Sequence, residues 1–376
     1  HTMHVGLNNT DELYSVVAPM VEQDWTSEPS LYIPEGPTFD NEGNLYFSPL
    51  PNKEGLSLVS LDVETGKRNW AIKAESGGGA PLILNDLDNP GKQVVYHCAR
   101  DKAWAVKPSG KIIWETESGL SLPDDKSVTT HCWGMNYVAK YDVLTAVTID
   151  AHVYLIERKS GKLLTEKPFR LPGKIAPAAK QLPAKAVLDS VDAVMAPVFD
   201  NDALFTSMIN VIYGGDYQVS NFYGSDPNSG RLYIAATAPD ADDGKTDGVS
   251  EFGAIYSVEV SKSKNGSFSL EVVSHKSFAG GTGSTPAISF DANRVMISDS
   301  SNLIIAMDLD LNELWRIEMD QQIAASIAIS SDNNELYAVS KQHIYKLFDR
   351  VDHAELAWVA DLDMFPDTAF YYNYNN

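Results

Sequence analysis

The feature that most constrains this chain is a unit of about 40 residues that recurs along it. Its clearest copy runs from Gly283 to Met319. It contains four short runs, TPAISF, RVMISD, LIIAMDL and ELWRIEM, separated by the tight turns DAN, SSN and DLN. Each run alternates apolar and polar residues or is wholly apolar, as strands packed between two other sheets must be. Four-stranded antiparallel units repeated at this period predict an all-β chain, a β-propeller whose blades each bury their faces against their neighbours.

Five further copies can be read. The first is PTFD, NLYFSPL, LSLVSLDV and KRNWAIKA, and the second spans Ala80 to Ser118. The third runs from HCWGMNYVA to KLLTEKPF, the fourth from QVSNFYGS to SLEVVSHKSF, and the sixth from IAASIAIS to ELAWVADLD. Left over are the N-terminal runs Glu12 to Ala18 and Ser30 to Ile33, and Thr368 to Asn373 near the C-terminus. Unpaired sheet edges favour closing a ring, so the leftovers are expected to form a composite blade. That makes seven blades the preferred count, with six or eight as alternatives, in a single domain over residues 1–376. Residues 171–217 break the period. Leu188, Val191, Met195 and Phe199 have helical spacing that Pro197 would end or kink, which predicts a partly helical insertion or lid over one face, with a degraded extra blade as the alternative.

Charge narrows the partners. Against 29 Lys and Arg stand 51 Asp and Glu, a net charge of -22. Such a surface repels phosphate backbones and anionic lipid, so no nucleic-acid partner is expected. No apolar run is long enough to span a bilayer. The opening His1-Thr2-Met3 reads as a cloning remnant, so a leader segment is expected to have been removed.

The runs SLDVETGKRNWAIKA, AVKPSGKIIWETES and AMDLDLNELWRIEM resemble the PQQ-like repeat, and SNFYGSDPNSGRLYIAATAPD resembles its inner hairpin. The resemblance covers most of the chain. It implies a propeller from a group that includes quinoprotein dehydrogenases and outer-membrane assembly scaffolds, and hence an extracytoplasmic location. Trp70, Trp114, Trp315 and Trp358 fall on outer strands, where a large ring is expected to fill the wedge between blades. PQQ itself is not expected. The chain is short for a quinone-dependent dehydrogenase and lacks the adjacent cysteine pair of many such enzymes.

A second resemblance, in PEGPTFDNEGNLYF, is to the first blade of the gluconolactonase and strictosidine-synthase-like propellers. It implies a calcium ion held by Glu35 and Asn221. Asp299 is the nearest match to the catalytic aspartate, in a surrounding pattern that departs from that family. Independently of either family, ligands of a propeller gather where inner strands open onto the channel. That points to Glu35, Gly79, His131, Asn221, Ser284 and Ser326, a set with which calcium's tolerance for many oxygen ligands is compatible.

Two further features carry chemistry. His97-Cys98 and His131-Cys132 form a repeated pair; buried free thiols are the leading reading, with a disulfide or a soft metal site as alternatives. The loop from Asp240 to Glu251 carries five carboxylates but misplaces the glycine of a calcium loop, which favours a solvated acidic loop. No G-x-S-x-G, P-loop or dinucleotide fingerprint occurs. Three functions follow as expectations: an extracytoplasmic propeller binding a small molecule or protein at its channel mouth, a calcium-dependent lactonase or arylesterase, and a cofactor-bearing redox enzyme.

Overall fold

The computed structural model describes residues 24–361, apart from 75–78, 117–119, 121–131, 166–168, 173–218, 240–249, 280–283 and several stretches of one or two residues. Six antiparallel sheets of four strands each make up this part of the chain. Blade 1 is β1 (Thr38–Phe39), β2 (Asn44–Phe47), β3 (Leu56–Asp62) and β4 (Arg68–Lys73). Blade 2 is β5 (Leu82–Asn85), β6 (Gln93–Ala99), β7 (Lys102–Val106) and β8 (Ile112–Glu115). Blade 3 is β9 (Cys132–Val138), β10 (Val143–Thr148), β11 (His152–Glu157) and β12 (Phe169–Arg170), with a short 3-10 turn at Ala139–Tyr141. Blade 4 is β13 (Gly224–Ser225), β14 (Leu232–Pro239), β15 (Ser250–Lys262) and β16 (Phe268–Ala279). Blade 5 is β17 (Ala287–Ile288), β18 (Val295–Ser298), β19 (Leu303–Met307) and β20 (Glu313–Glu318). Blade 6 is β21 (Ala328–Ile329), β22 (Glu335–Val339), β23 (His343–Asp349) and β24 (Ala354–Asp361).

Within every sheet the strands lie in chain order, each a hairpin onto the last. First strands of successive sheets adjoin, β1 by β5, β9 by β13 and β13 by β17, and Ala80 bridges Gly134 in parallel between blades 2 and 3. The first strand is therefore innermost, and the chain is a β-propeller. The described residues contain six blades, one of the alternatives to the preferred seven. Thr368 to Asn373 and Glu12 to Ala18, assigned to a composite blade, lie outside the described residues, as do nearly all of 171–217 and Asp240 to Val249. Leu31 and Ile33, read as part of a strand, are not in one, and Ser250 and Glu251 belong to β15 rather than to a loop.

The core is a series of wedges between blades. Tyr46 and Leu58 meet Val95 and Trp104 between blades 1 and 2. Tyr96 and Trp114 meet Met135 and Tyr154 between blades 2 and 3, and Leu155 meets Phe222 and Tyr256 between blades 3 and 4. Tyr233 and Ile255 meet Ile297 and Met307 between blades 4 and 5, and Met296 and Trp315 meet Leu336 and Tyr345 between blades 5 and 6. The other face of blade 1 is covered by Trp25 and Leu31.

A register device recurs through these wedges. The pairing of third and fourth strands slips at Ser60/Leu61, Ala105/Val106, Ser257/Val258, Ala306/Met307 and Lys346/Leu347. Beside the slip, Ser60 pairs with Trp70, Ala105 with Trp114, Ala306 with Trp315 and Lys346 with Trp358. A bulge at this point turns the strand and aims the indole at the next blade. Trp70 Nε1 donates to the Pro108 carbonyl at 2.7 Å, and Trp114 Nε1 to that of Arg158 at 3.0 Å. The receiving turns hold Gly110 (φ +84°) and Gly161 (φ +75°), where a Cβ would stand 2.8 and 2.4 Å from the indoles. Only glycine accepts both the backbone angle and the close ring. Trp315 instead donates to the Asp349 carboxylate at 3.1 Å. Trp358 departs from the expected wedge filling: it is 42% exposed, because no further blade follows β24 among the described residues.

Cys98 and Cys132 are joined in a disulfide, with Cα atoms 5.7 Å apart. This corrects the leading reading of two free thiols. The blade-2 second strand and the blade-3 first strand adjoin, so both sulfurs enter the same wedge. His97, of opposite strand parity, faces the wedge between blades 1 and 2 and stacks on Trp104 at 5.9 Å.

Candidate functional site at the inner-strand openings

The six candidate positions open inner strands, and four of them fall among the described residues. Glu35 and His131 do not, so a calcium ligand set of Glu35 with Asn221 lies partly outside the described chain. Gly79 is buried beside the Ala80 bridge. Asn221 is half-buried, and its carboxamide oxygen accepts the Phe222 N–H at 2.8 Å. Asn136 in blade 3 does the same with Tyr137 at 2.8 Å, and its amide donates to the Tyr223 carbonyl at 3.0 Å. Phe222, following Asn221, lies where a Cβ on Gly134 would come within 2.3 Å of its ring. Asn221 thus turns the chain so that the next two aromatics seal blade 3 against blade 4.

Ser284 and Ser326 are brought together across blades 5 and 6. The Thr285 N–H donates to Ser326 Oγ at 3.0 Å, and Ser284 Oγ accepts the Ser298 N–H at 3.3 Å. Ser284 is buried and Ser326 half-buried. The Thr285 hydroxyl is fully buried without a hydrogen-bond partner, as is that of Thr38 at the start of blade 1. Asp299, weighed against a catalytic aspartate, is buried and accepts the Leu303 N–H at 2.7 Å, which fixes the turn before β19.

A polar cluster between blades 5 and 6 was missed by linear reading. His343 Nδ1 lies 3.3 Å from Asp320 and 3.1 Å from the Tyr345 hydroxyl, while Nε2 lies 3.3 Å from Asp361. Burial, with the bond that the hydroxyl donates to Asp320, pushes Tyr345 up to about 12. The signal was topological: Asp320 follows β20 of blade 5, and β23 and β24 of blade 6 bring His343 and Asp361 beside it. Among the described residues, no group of three His, Cys, Asp or Glu is arranged to hold a metal ion.

Other ionic contacts tie blades together. Arg158 in blade 3 donates to the Tyr96 hydroxyl of blade 2 at 3.2 Å and pairs with Asp142 at 2.9 Å. Arg294 in blade 5 meets the buried Asp349 of blade 6 at 2.6 Å. Arg316, then Lys276 of blade 4, hold Glu313 down to about 2.

These features define a β-propeller. A family model described as outer membrane protein assembly factor BamB matches residues 22–127. Among solved structures, the β-propeller domain of Cps50 (Swd1) from Myceliophteria thermophila is similar at 10% identity. The match covers 88% of this chain and 87% of that one, with a TM-score of 0.47. A search of curated proteins finds no match. No helix among the described residues is long and apolar enough to cross a membrane.

Proposed function

We propose that this propeller works outside the cytoplasm by binding, holding a small molecule or a protein at the channel mouth where the inner strands open. The observation that carries the location is the Cys98–Cys132 disulfide, since such bonds persist in oxidising compartments and are rare in reducing ones. The similarity of residues 22–127 to an outer-membrane assembly factor family supports the same compartment and a binding role. Asn136, Asn221, Ser284 and Ser326 bond main-chain atoms, which suits a rigid rim better than a set of reacting groups.

Two measurements test this. Protein recovered from its native host under thiol-trapping conditions is expected to carry no alkylatable cysteine; two free thiols would remove the support for location. Thermal-shift screening with Ca²⁺, sugars, nucleotides and peptides is expected to yield a ligand whose effect disappears in Ser326→Trp, which plugs the rim. Ca²⁺-dependent hydrolysis of a lactone or aryl ester would replace binding by catalysis.

A further inference from the structure

Blade 4 carries a hairpin that outreaches its sheet. In blade 1 the second and third strands end level, with Asn44 opposite Asp62. In blade 4 the second strand accompanies the third only as far as Val258, opposite Leu232, yet β15 and β16 stay paired out to Lys262 and Phe268. The projecting arm leans on blade 3. Phe268 meets the Tyr141 ring edge-on at 5.8 Å, and Phe268, Leu270 and Val272 pack against the core shared by blades 3 and 4. The arm replaces a missing ring: Trp70 and Trp114 follow Gly66 and Gly110 by four residues, whereas Thr165 holds that place after Gly161 in blade 3.

The tip of the arm, residues 261–267, is exposed throughout, and it holds the one Asn-Gly step in the sequence, Asn265-Gly266. Gly266 has φ +91°, and a Cβ there would meet nothing within 4 Å, so neither a side chain nor a neighbour screens its nitrogen. The Asn265 carboxamide oxygen accepts the Ser263 hydroxyl and, at 3.1 Å, the Ser267 N–H, which together draw electron density from the carbonyl carbon. None of the hydrogen bonds of the tip among the described residues uses the carboxamide nitrogen. The Gly266 N–H donates to the Ser263 carbonyl at 3.0 Å. Attack by that nitrogen waits on release of this one bond, which costs little at an exposed tip beyond the reach of β14.

We propose that Asn265 is a site of spontaneous covalent modification, where the chain cyclises and loses ammonia at the tip of the arm. The Gly266 nitrogen bonds to the Asn265 side-chain carbonyl carbon. The bond from that carbon to Nδ2 breaks, and Nδ2 leaves as ammonia, carrying the Gly266 proton. Water then opens the cyclic imide. Opening at the side-chain carbonyl restores the main chain and leaves an aspartate. Opening at the main-chain carbonyl leaves an isoaspartate, with an extra methylene in the backbone. Either product adds a negative charge beside Lys262 and Lys264. The aspartate keeps the acceptor for the Ser267 N–H. The isoaspartate lengthens a turn closed by the Ser263 N–H donating to the Ser267 carbonyl at 2.9 Å, and that turn sets Lys262 opposite Phe268. Phe268 then loses its fixed place on Tyr141, and the outer rim between blades 3 and 4 loosens as the protein ages.

The test uses the full chain, aged at pH 6 and at pH 8 and then digested for peptide mass spectrometry. The peptide holding Asn265 is expected to gain one mass unit and to split into two chromatographic species, one of them labelled by an isoaspartyl methyltransferase. The gain is expected to be several times faster at pH 8, because the attacking nitrogen must give up its proton. Asn265 left intact at pH 8, or modified no faster than the other asparagines, overturns the proposal. Hydrogen exchange over residues 268–272 is then compared between fresh and aged protein, for wild type and for Asn265→Gln, whose longer side chain cyclises far more slowly. Exchange several times faster in aged wild type, and unchanged in aged Asn265→Gln, is the expected result. Equal exchange in fresh and aged wild type, or the same acceleration in the variant, overturns the loosening of the rim. Neither readout depends on the ligand or compartment of the protein.

Discussion

His97 makes stability depend on pH in a way that can be calculated. Its ring is wholly buried, stacked on Trp104, and neither nitrogen has a hydrogen-bond partner. Burial lowers its pKa from 6.5 to about 3, only weakly opposed by the nearby Ser57 backbone. In the unfolded chain the ring protonates near 6.5, so between 6.5 and 3 the unfolded state binds the extra proton. Stability from this residue is therefore complete above pH 6.5 and falls as pH drops. The loss is about 2 kcal/mol at pH 5 and approaches about 5 kcal/mol near pH 3, at roughly 1.4 kcal/mol per pH unit. Carboxylates titrate over the lower part of that range, so the measurement is a difference. Urea unfolding midpoints and slopes are recorded from pH 7 to pH 4 for wild type and for His97→Phe, which keeps a ring against Trp104. Wild type is expected to lose the calculated amount relative to the variant between pH 6.5 and 5. Parallel stability curves over that interval would refute the assignment of a neutral, isolated imidazole to this wedge.

Reducing the Cys98–Cys132 bond, or replacing both cysteines with serine, is expected to lower stability by about 4 kcal/mol, the loop-entropy value for a separation of 34 residues; chemical denaturation with and without reductant measures it. Gly161→Ala should cost at least about 3 kcal/mol, since φ is +75° and the Trp114 ring lies 2.4 Å from the new methyl. Gly91→Ala, at φ +86° with nothing within 4 Å, should cost only about 1 kcal/mol by the same assay. Arg294→Met should destabilise by about 3–5 kcal/mol by leaving Asp349 buried without its cation, and Arg294→Met with Asp349→Leu should recover part of that loss.

Much of the fold was legible because it is written locally. Turns such as Asp62-Val63-Glu64-Thr65-Gly66 hold their own hydrogen bonds, with the Asp62 carboxylate accepting from Thr65 at 2.8 Å, and they mark strand ends without reference to anything distant. The spacing from turn to tryptophan was equally visible at Trp70, Trp114 and Trp315. What a neighbour supplies was not. Trp358 stands beside the same kind of register slip, although its turn residue Val351 precedes it by seven, and its burial depends on a wall opposite. Strand alternation separated His97 from Cys98, but the approach of Cys98 to Cys132 depends on how two sheets lean together. The Ser284 and Ser326 pairing passes through the Thr285 backbone of an adjacent blade, a contact no periodicity encodes. The His343 cluster joins the residue that follows a blade 5 strand to two strands of blade 6, and only the packing of the two sheets brings them together.

The covalent strap between blades 2 and 3 also sets how the molecule comes apart under load. If the chain is stretched from its termini, force passes from Cys98 to Cys132 through sulfur, and the intervening polypeptide stays slack. About 110 Å of contour, at roughly 3.4 Å per residue, is then missing from the extension until the bond is reduced.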